Sequence, residues 1–391
     1  MAMPVQNLSK LVKLVTINIR RTYTMSQSTA FHGSDLEQVA QYYHLPQEEI
    51  ICFSANVNPL GFPAKTAGLV CQNFSRLMTH YPDREYTGLK QAIGNYCHIS
   101  PDHVLVGNGS TELISLLIQS SGRKRAVQIG PSYSEYEREL NLAGISFTTW
   151  FPKKEHLFQP DTDDLLDFLT AHNADFLILC NPNNPTARAL STDEIADLLE
   201  GCLKSDIFVM IDETYAEFAD REVSAMSLVS KFPNLMVIRG ISKFFAAPGL
   251  RLGYGASGNR AFLDHVKTHQ NPWSVNSVAA FAGEHLFCEE EFIVKTKALI
   301  SGERTRMIQG LSEIPALRVY PSDSNFLLVE ILDPSLTASG LFDCLIRQKL
   351  MIRDCSSFEG LGTQFFRFCL MLPEQNTALL QAVQEFFAKS R

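Results

Sequence analysis

The chain has 391 residues, with 34 Lys and Arg, 42 Asp and Glu and 10 His, giving a formal net charge of −8 and a pI near 5.7. Apolar residues make up 45% and charged residues 19%, an ordinary globular composition that excludes intrinsic disorder, collagen and coiled coil as descriptions of the whole. A net acidic chain without a Lys/Arg-rich stripe is a poor nucleic-acid binder, and no apolar run reaches the roughly eighteen residues that a membrane span needs.

Nine cysteines, an odd number with no C-x-x-C pair, argue against a secreted disulfide framework and for a reducing cytoplasm. Each is read as a small buried hydrophobe. The first 24 residues carry Lys10, Lys13, Arg20 and Arg21 and no acid, so the remainder carries −12 (30 bases against 42 acids). Organelle-targeting peptides share that pattern. An upstream start ahead of Met25 is the alternative, and the expectation adopted is a frayed arm without chemistry.

A helical pattern begins at residue 34 (Leu36, Val39, Ala40, Tyr43), followed by the turn-rich stretch from Phe53 to Gly61 and by helical patterns around 64–79 and 86–97. Between 104 and 256 short apolar runs (Val104–Val106, Ala126–Ile129, Phe176–Leu179, Ile207–Ile211, Leu235–Ile238) alternate with helical patterns around 110–120, 134–143, 162–171 and 191–203. Alternation of this kind predicts an α/β fold with a mainly parallel sheet covered by helices on both faces. Beyond about 276 a long helical stretch leads to strands near 326–329 and 366–370 and a last helix near 375–388. The expected organisation is an N-terminal arm over 1–30, a large α/β domain over 65–275, and a smaller α+β domain built from 31–64 and 276–391.

In such sheets ligands sit at the carboxyl ends of the strands, so the residues after each run carry the functional reading. Gly107-Asn108-Gly109-Ser110-Thr111-Glu112 opens a helix and offers free N–H groups to a phosphate; the plainer reading is a helix cap. Tyr133, after Pro131-Ser132, can stack on a planar ligand or fill core. Asn181-Pro182-Asn183-Asn184-Pro185 is a rigid loop that can hold an amide against a ligand oxygen. Asp212, ending a buried strand, is costly without a cationic partner such as a protonated ring nitrogen or an arginine. Lys243, set in Gly240-Ile241-Ser242-Lys243-Phe244-Phe245, is flanked by aromatic and small residues whose desolvation makes an amine a better nucleophile. Arg251 follows and can neutralise a phosphate. A phosphate cup, a stacker, an oxygen ligand, a carboxylate for a ring nitrogen and an amine together match what pyridoxal 5'-phosphate needs. Cys97-His98 with His103 has no trusted metal spacing, and no metal is expected.

From His32 to the C-terminus the chain resembles the fold-type-I pyridoxal-phosphate enzymes of the aspartate-aminotransferase superfamily, nearest to the histidinol-phosphate aminotransferases and the L-threonine-O-3-phosphate decarboxylases of cobalamin biosynthesis. The resemblance implies that Lys243 forms the Schiff base and that Asp212 pairs with the pyridine nitrogen. Asn184 and Tyr215 would bond the phenolic oxygen, and Tyr133 would stack on the ring. It assigns the cofactor phosphate to Ser242, Arg251 and the Gly109, Ser110 and Thr111 amides. Tyr81, in His80-Tyr81-Pro82-Asp83, matches the tyrosine that reaches the neighbouring subunit's cofactor, which implies a homodimer with composite sites. Arg367 and Arg353 match two substrate-binding arginines. One departure stands after Asn184-Pro185-Thr186, where Ala187 replaces the family's usual glycine; Arg188 next to it either faces a substrate anion or lies at the surface.

Three features favour the decarboxylases. His32-Gly33 precedes the first helix, as a phosphate-binding histidine does there. Phe53-Ser54-Ala55-Asn56-Val57-Asn58-Pro59-Leu60-Gly61 is similar to their stretch. Asn271-Pro272-Trp273-Ser274-Val275-Asn276 resembles their Pro-Trp-Ser-Val-Asn, with core packing between domains as the plainer role for Trp273. The resemblance therefore implies a carboxy-lyase acting on L-threonine O-3-phosphate, with L-serine O-phosphate as an alternative substrate and histidinol-phosphate transamination as the competing reaction.

Overall fold

The computed structural model describes residues 35–389. His32, to which the sequence assigns a substrate contact, lies outside them. A first short strand, β1 (Ile51–Cys52), precedes two helices, Ala64–Thr79 and Thr87–Cys97. Seven strands then form the central sheet: β2 (Val104–Gly107), β3 (Arg125–Ile129), β4 (Ser146–Trp150), β5 (Phe176–Cys180), β6 (Phe208–Asp212), β7 (Leu235–Gly240) and β8 (Gly253–Ala256), in the spatial order β2-β8-β7-β6-β5-β3-β4. After them come β9 (Leu317–Val319), β10 (Phe326–Ile331), β11 (Leu350–Met351), β12 (Arg353–Asp354) and β13 (Phe365–Cys369).

β5 and β6 are buried along their whole length, because helices cover both faces, and they read as unbroken apolar runs. β4 and β8 were not expected from the sequence. β4 is an edge strand of mixed polarity (Ser-Phe-Thr-Thr-Trp), paired only with β3. β8 is Gly-Tyr-Gly-Ala and lacks the β-branched composition of a strand interior.

β8 runs antiparallel to both β7 and β2, whereas β3 to β7 pair parallel. Its amino end therefore lies at the edge where the others have their carboxyl ends, and Arg251, two residues before β8, arrives beside the loops that follow β2 and β7. Gly253 is pressed onto that junction: a Cβ there would stand 2.4 Å from the Ser110 amide nitrogen and 2.5 Å from the Gly109 carbonyl carbon. Gly109, at φ +83°, leaves room in turn for the Arg251 guanidinium, which a Cβ would meet at 2.4 Å.

β12, β13, β10 and β9 form a separate antiparallel sheet, and β1 pairs with β11. The helix Glu290–Ser312 and the last helix, Pro373–Lys389, accompany this part of the chain. Seven of the nine cysteines are buried or half-buried as expected; Cys71 and Cys288 are exposed, on a helix face and after a helix end, which corrects the reading of every cysteine as core. Trp273 is likewise not core. It is 42% exposed, packed against Tyr81 with ring centroids 5.0 Å apart and beneath the Arg84 guanidinium at 5.7 Å.

Gly253→Ala should destabilise the fold by about 1–3 kcal/mol, because a backbone contact cannot give way as a side chain can. Chemical denaturation checks this, and a loss under 0.5 kcal/mol would show that the β2 and β8 loops separate freely.

Candidate functional site

The expected strand-end residues converge on one cavity of about 720 Å³. Ser110, Thr111, Tyr133, Asn184, Asp212, Tyr215, Ser242, Lys243, Arg251, Arg353 and Arg367 all line it. Three of the sequence's candidates do not. Gly109 stands behind Arg251, Tyr81 is 82% exposed beside Trp273, and Arg188 donates from Nη2 to Gln159 Oε1 at 2.6 Å. Arg188 thus points at a neighbouring loop rather than into the cavity.

At the anion end, the helix Ser110–Ser120 begins at Ser110, with Gly109 as its N-cap and no side-chain capping bond. The hydroxyls of Ser110 and Thr111 are therefore not used as caps, and the first-turn N–H groups and the positive helix end face the cavity beside Ser242 and Arg251. A dianionic phosphate fits this cup.

Asp212 closes β6 and is buried. Its Oδ1 accepts from the Thr214 amide (2.9 Å) and hydroxyl (2.6 Å), and its Oδ2 accepts from the Tyr136 hydroxyl at 2.7 Å. Burial pushes its pKa up, against the pull of these three donors. Among the described residues no cation pairs with it, so the cationic partner expected from the sequence is not an arginine among them. A protonated pyridine nitrogen suits this buried acceptor. Tyr136 meets Tyr133 edge-on, with centroids 5.7 Å apart at 87°, so one helix start fixes both the Tyr133 ring and the Asp212 carboxylate. Sequence reasoning missed Tyr136; its place three residues after Tyr133, on the same helical face, was the available clue.

Lys243 ends in the cavity and donates from Nζ to the Ala55 carbonyl at 2.6 Å. Burial, and then the charge of Arg367, lower its pKa to about 8. Tyr215 presents its hydroxyl near Asn56, whose Nδ2 donates at 3.4 Å, and burial pushes the phenol pKa up. Asn184 Oδ1 accepts from Arg367 Nη1. Asn56, to which the sequence assigns no role, is buried at φ +55° with an unpartnered Oδ1 and also lines the cavity.

Arg353 and Arg367 are direct cross-strand partners in β12 and β13, so their side chains leave the same face of the sheet. Both are buried. Arg367 donates to the Ser54 carbonyl at 2.9 Å and lies 5.2 Å from the Phe326 ring centroid. Arg353 donates from Nη2 to Ser357 Oγ at 2.9 Å and lies 5.5 Å from the Phe358 ring, and its buried Nη1 has no partner. Neither forms an ion pair among the described residues. Two like charges set opposite each other are unfavourable until an anion joins them.

The sequence pattern described as aminotransferase class I and II matches residues 48–383. A threonine-phosphate decarboxylase of Salmonella typhimurium is 31% identical over 360 residues, 92% of this chain and 97% of the other. The crystal structure of the histidinol-phosphate aminotransferase from Clostridium acetobutylicum superposes with a TM-score of 0.80 at 30% identity, covering 85% of this chain and 98% of that one. The histidinol-phosphate aminotransferase from Sinorhizobium meliloti in complex with pyridoxal-5'-phosphate shares the fold, with a TM-score of 0.81 at 18% identity over 91% of this chain and 95% of that one.

Two outcomes follow from the geometry. Capture of pyridoxal phosphate by the cofactor-free protein requires a neutral amine, so its rate should rise with pH to a midpoint near 8, read from the growth of visible absorbance; a midpoint near the ordinary lysine value of about 10.4 would contradict the buried setting of Lys243. Tyr136→Phe removes one donor that holds the Asp212 pKa down. The acid limb of the activity profile should move to higher pH and turnover should fall about tenfold, the weight of one hydrogen bond to a charged group.

Proposed function

Because the chain belongs to the class I and II aminotransferase family and is a pyridoxal-phosphate enzyme, we propose that it decarboxylates L-threonine O-3-phosphate to (R)-1-amino-2-propanol O-2-phosphate, as in cobalamin biosynthesis. The observation that carries the reading is the buried Arg353 and Arg367 pair, unpaired with any acid among the described residues and facing the same cavity as Lys243. Such a pair suits one small molecule with two anionic groups, and threonine phosphate has a carboxylate and a phosphate. Likeness to the Salmonella decarboxylase across 92% of the chain supports the same substrate.

In this reading Lys243 would hold the cofactor through its aldehyde carbon, the aldehyde oxygen leaving as water, Asp212 would keep its ring nitrogen protonated, Tyr133 would cover its ring, and Asn184 and Tyr215 would hold its phenolic oxygen. Ser242, Arg251 and the amides of Gly109, Ser110 and Thr111 hold its phosphate. When bound, pyridoxal phosphate supplies an electron sink for whichever bond at the substrate Cα stands perpendicular to its ring. Arg353 and Arg367, with His32, determine which bond that is. By gripping both anionic ends they turn the Cα–carboxylate bond into position, a use of remote binding energy at the reacting carbon. Lys243 Nζ or a water would then return a proton to Cα. Tyr81, exposed beside Trp273, would reach the phosphate site of a second copy, which makes the working unit a homodimer, and the unpaired cysteines suit a reducing cytoplasm. No helix among the described residues is long and apolar enough to cross a membrane. L-serine O-phosphate differs by one methyl, a discrimination of only about 1–3 kcal/mol, and serves as a second substrate.

The competing reading is transamination of histidinol phosphate, favoured by the match to the Clostridium aminotransferase. It requires the Cα–H bond, not the carboxylate, to stand perpendicular. Purified enzyme offered phosphothreonine, phosphoserine, or histidinol phosphate with 2-oxoglutarate separates the two. CO₂ release without glutamate is the expected outcome, and glutamate formation overturns the decarboxylase reading.

A further inference from the structure

The lysine that faces the cavity sits on a helix of only four residues, Ile241–Phe244. So short a helix pairs its carbonyls poorly: that of Lys243 accepts from the Ala246 amide at a long 3.4 Å. Two of them are taken by a single residue 185 positions upstream. The Asn58 amide donates to the Lys243 carbonyl at 3.0 Å, and the Asn58 Nδ2 donates to the Phe244 carbonyl at 2.7 Å. The same Nδ2 donates to Thr296 Oγ1 at 2.9 Å, in the long helix Glu290–Ser312, and Asn58 Oδ1 accepts from the Leu60 amide at 3.0 Å. Both Asn58 and Thr296 are fully buried. Three residues earlier, the Ala55 carbonyl accepts from Lys243 Nζ. One loop therefore grips this lysine at its backbone and at its amine.

We propose that Asn58, braced by Thr296, is a positioning residue that caps the lysine-bearing turn and sets where the Lys243 amine is delivered. The inference rests on the reading of Lys243 as the amine that bonds the cofactor. Behind the turn, Phe244 packs on Phe218 (centroids 5.0 Å apart) and on Phe245 (5.2 Å), which fixes the turn laterally but leaves its axial position to polar contacts. Asn58 supplies those contacts. A backbone amide and a side-chain amide on adjacent carbonyls leave the turn one orientation, and Thr296 keeps the side chain from rotating away. A displacement of about 1 Å at the reacting amine can cost about a hundredfold in rate.

The test uses the holoenzyme, with Asn58→Ala, Thr296→Val and Thr296→Ser. In Asn58→Ala the pH midpoint of the bound cofactor's visible absorbance should move by at least about half a unit, and kcat should fall about 10–100-fold while KM changes less than about threefold. Thr296→Val, which deletes one hydroxyl, should move both in the same direction by less, and Thr296→Ser, which restores the hydroxyl, should recover most of the loss. A variant that melts earlier yet keeps its absorbance midpoint, and its kcat per folded site within about twofold, overturns the proposal, because purely structural contacts move only stability. If Asn58→Ala does not fold, Thr296→Val alone decides by the same criterion. Borohydride treatment of the wild type followed by peptide mapping separates the premise from the inference. Cofactor attached elsewhere than Lys243 removes the premise; cofactor on Lys243 with unshifted variants removes only the role of Asn58.

Discussion

Three successive backbone carbonyls, those of Ser54, Ala55 and Asn56, accept from Arg367, Lys243 and Asn325. Phe53, just before them, is laced into the small sheets: its amide donates to the Met351 carbonyl and its carbonyl accepts from the Cys369 amide. This short bent segment is the seam along which the antiparallel sheet, the lysine turn and the cavity are held in one arrangement. Carbonyls cannot reposition without moving the chain, so cations held by them are fixed more firmly than cations held by flexible side chains. Two of the site's basic groups, the Lys243 amine and the Arg367 guanidinium, are tied this way.

A second constraint acts at the opposite wall. Asp212 is kept in a buried position by neutral donors alone, and its neighbour Glu213 is neutralised separately by Arg239, at 2.8 Å. The two acids are adjacent in sequence, Asp212 ending β6 and Glu213 just beyond it, yet they meet different partners. One meets a charge supplied by the chain. The other is left with hydrogen bonds that hold an acceptor in place while leaving its charge uncompensated, and this difference separates a structural acid from one facing a ligand.

The parallel strands were legible because burial on both faces writes them as apolar runs, and the site residues were legible because such sheets present ligands at their strand ends. Asp212, Asn184, Tyr133 and Lys243 could each be placed by that rule. β8 escaped it because Gly253 answers to the contact with Gly109 and Ser110 and Gly255 to Met236, tertiary demands with no periodicity. β4 escaped it because an edge strand need not be apolar. Asn58 and Ala55 act on Lys243 across more than 180 residues, and Ala55 does so through a backbone oxygen that no residue identity reveals. Core packing, the plainer role for Trp273, does not hold, and aromatic side chains with a polar edge are often left half-covered. Ala187, the departure from the family's glycine, does adopt the left-handed conformation, at φ +59°, held by the Asp323 amide on its carbonyl at 2.8 Å. The turn was thus kept without the residue that makes it easy.

The opposed arginines of β12 and β13 give the small sheet an unusual thermodynamic character. Two guanidinium groups brought together out of water work against the strand pairing that carries them. An anion seated between them would change that balance and act as a missing counterion of the fold. By mass action, a ligand that binds only the folded chain adds about 2.7 kcal/mol at a hundredfold excess over its Kd. The net acidity of the whole chain, which disfavours anions at long range, leaves this short-range debt intact, and the protein is most firmly assembled when its cleft is filled.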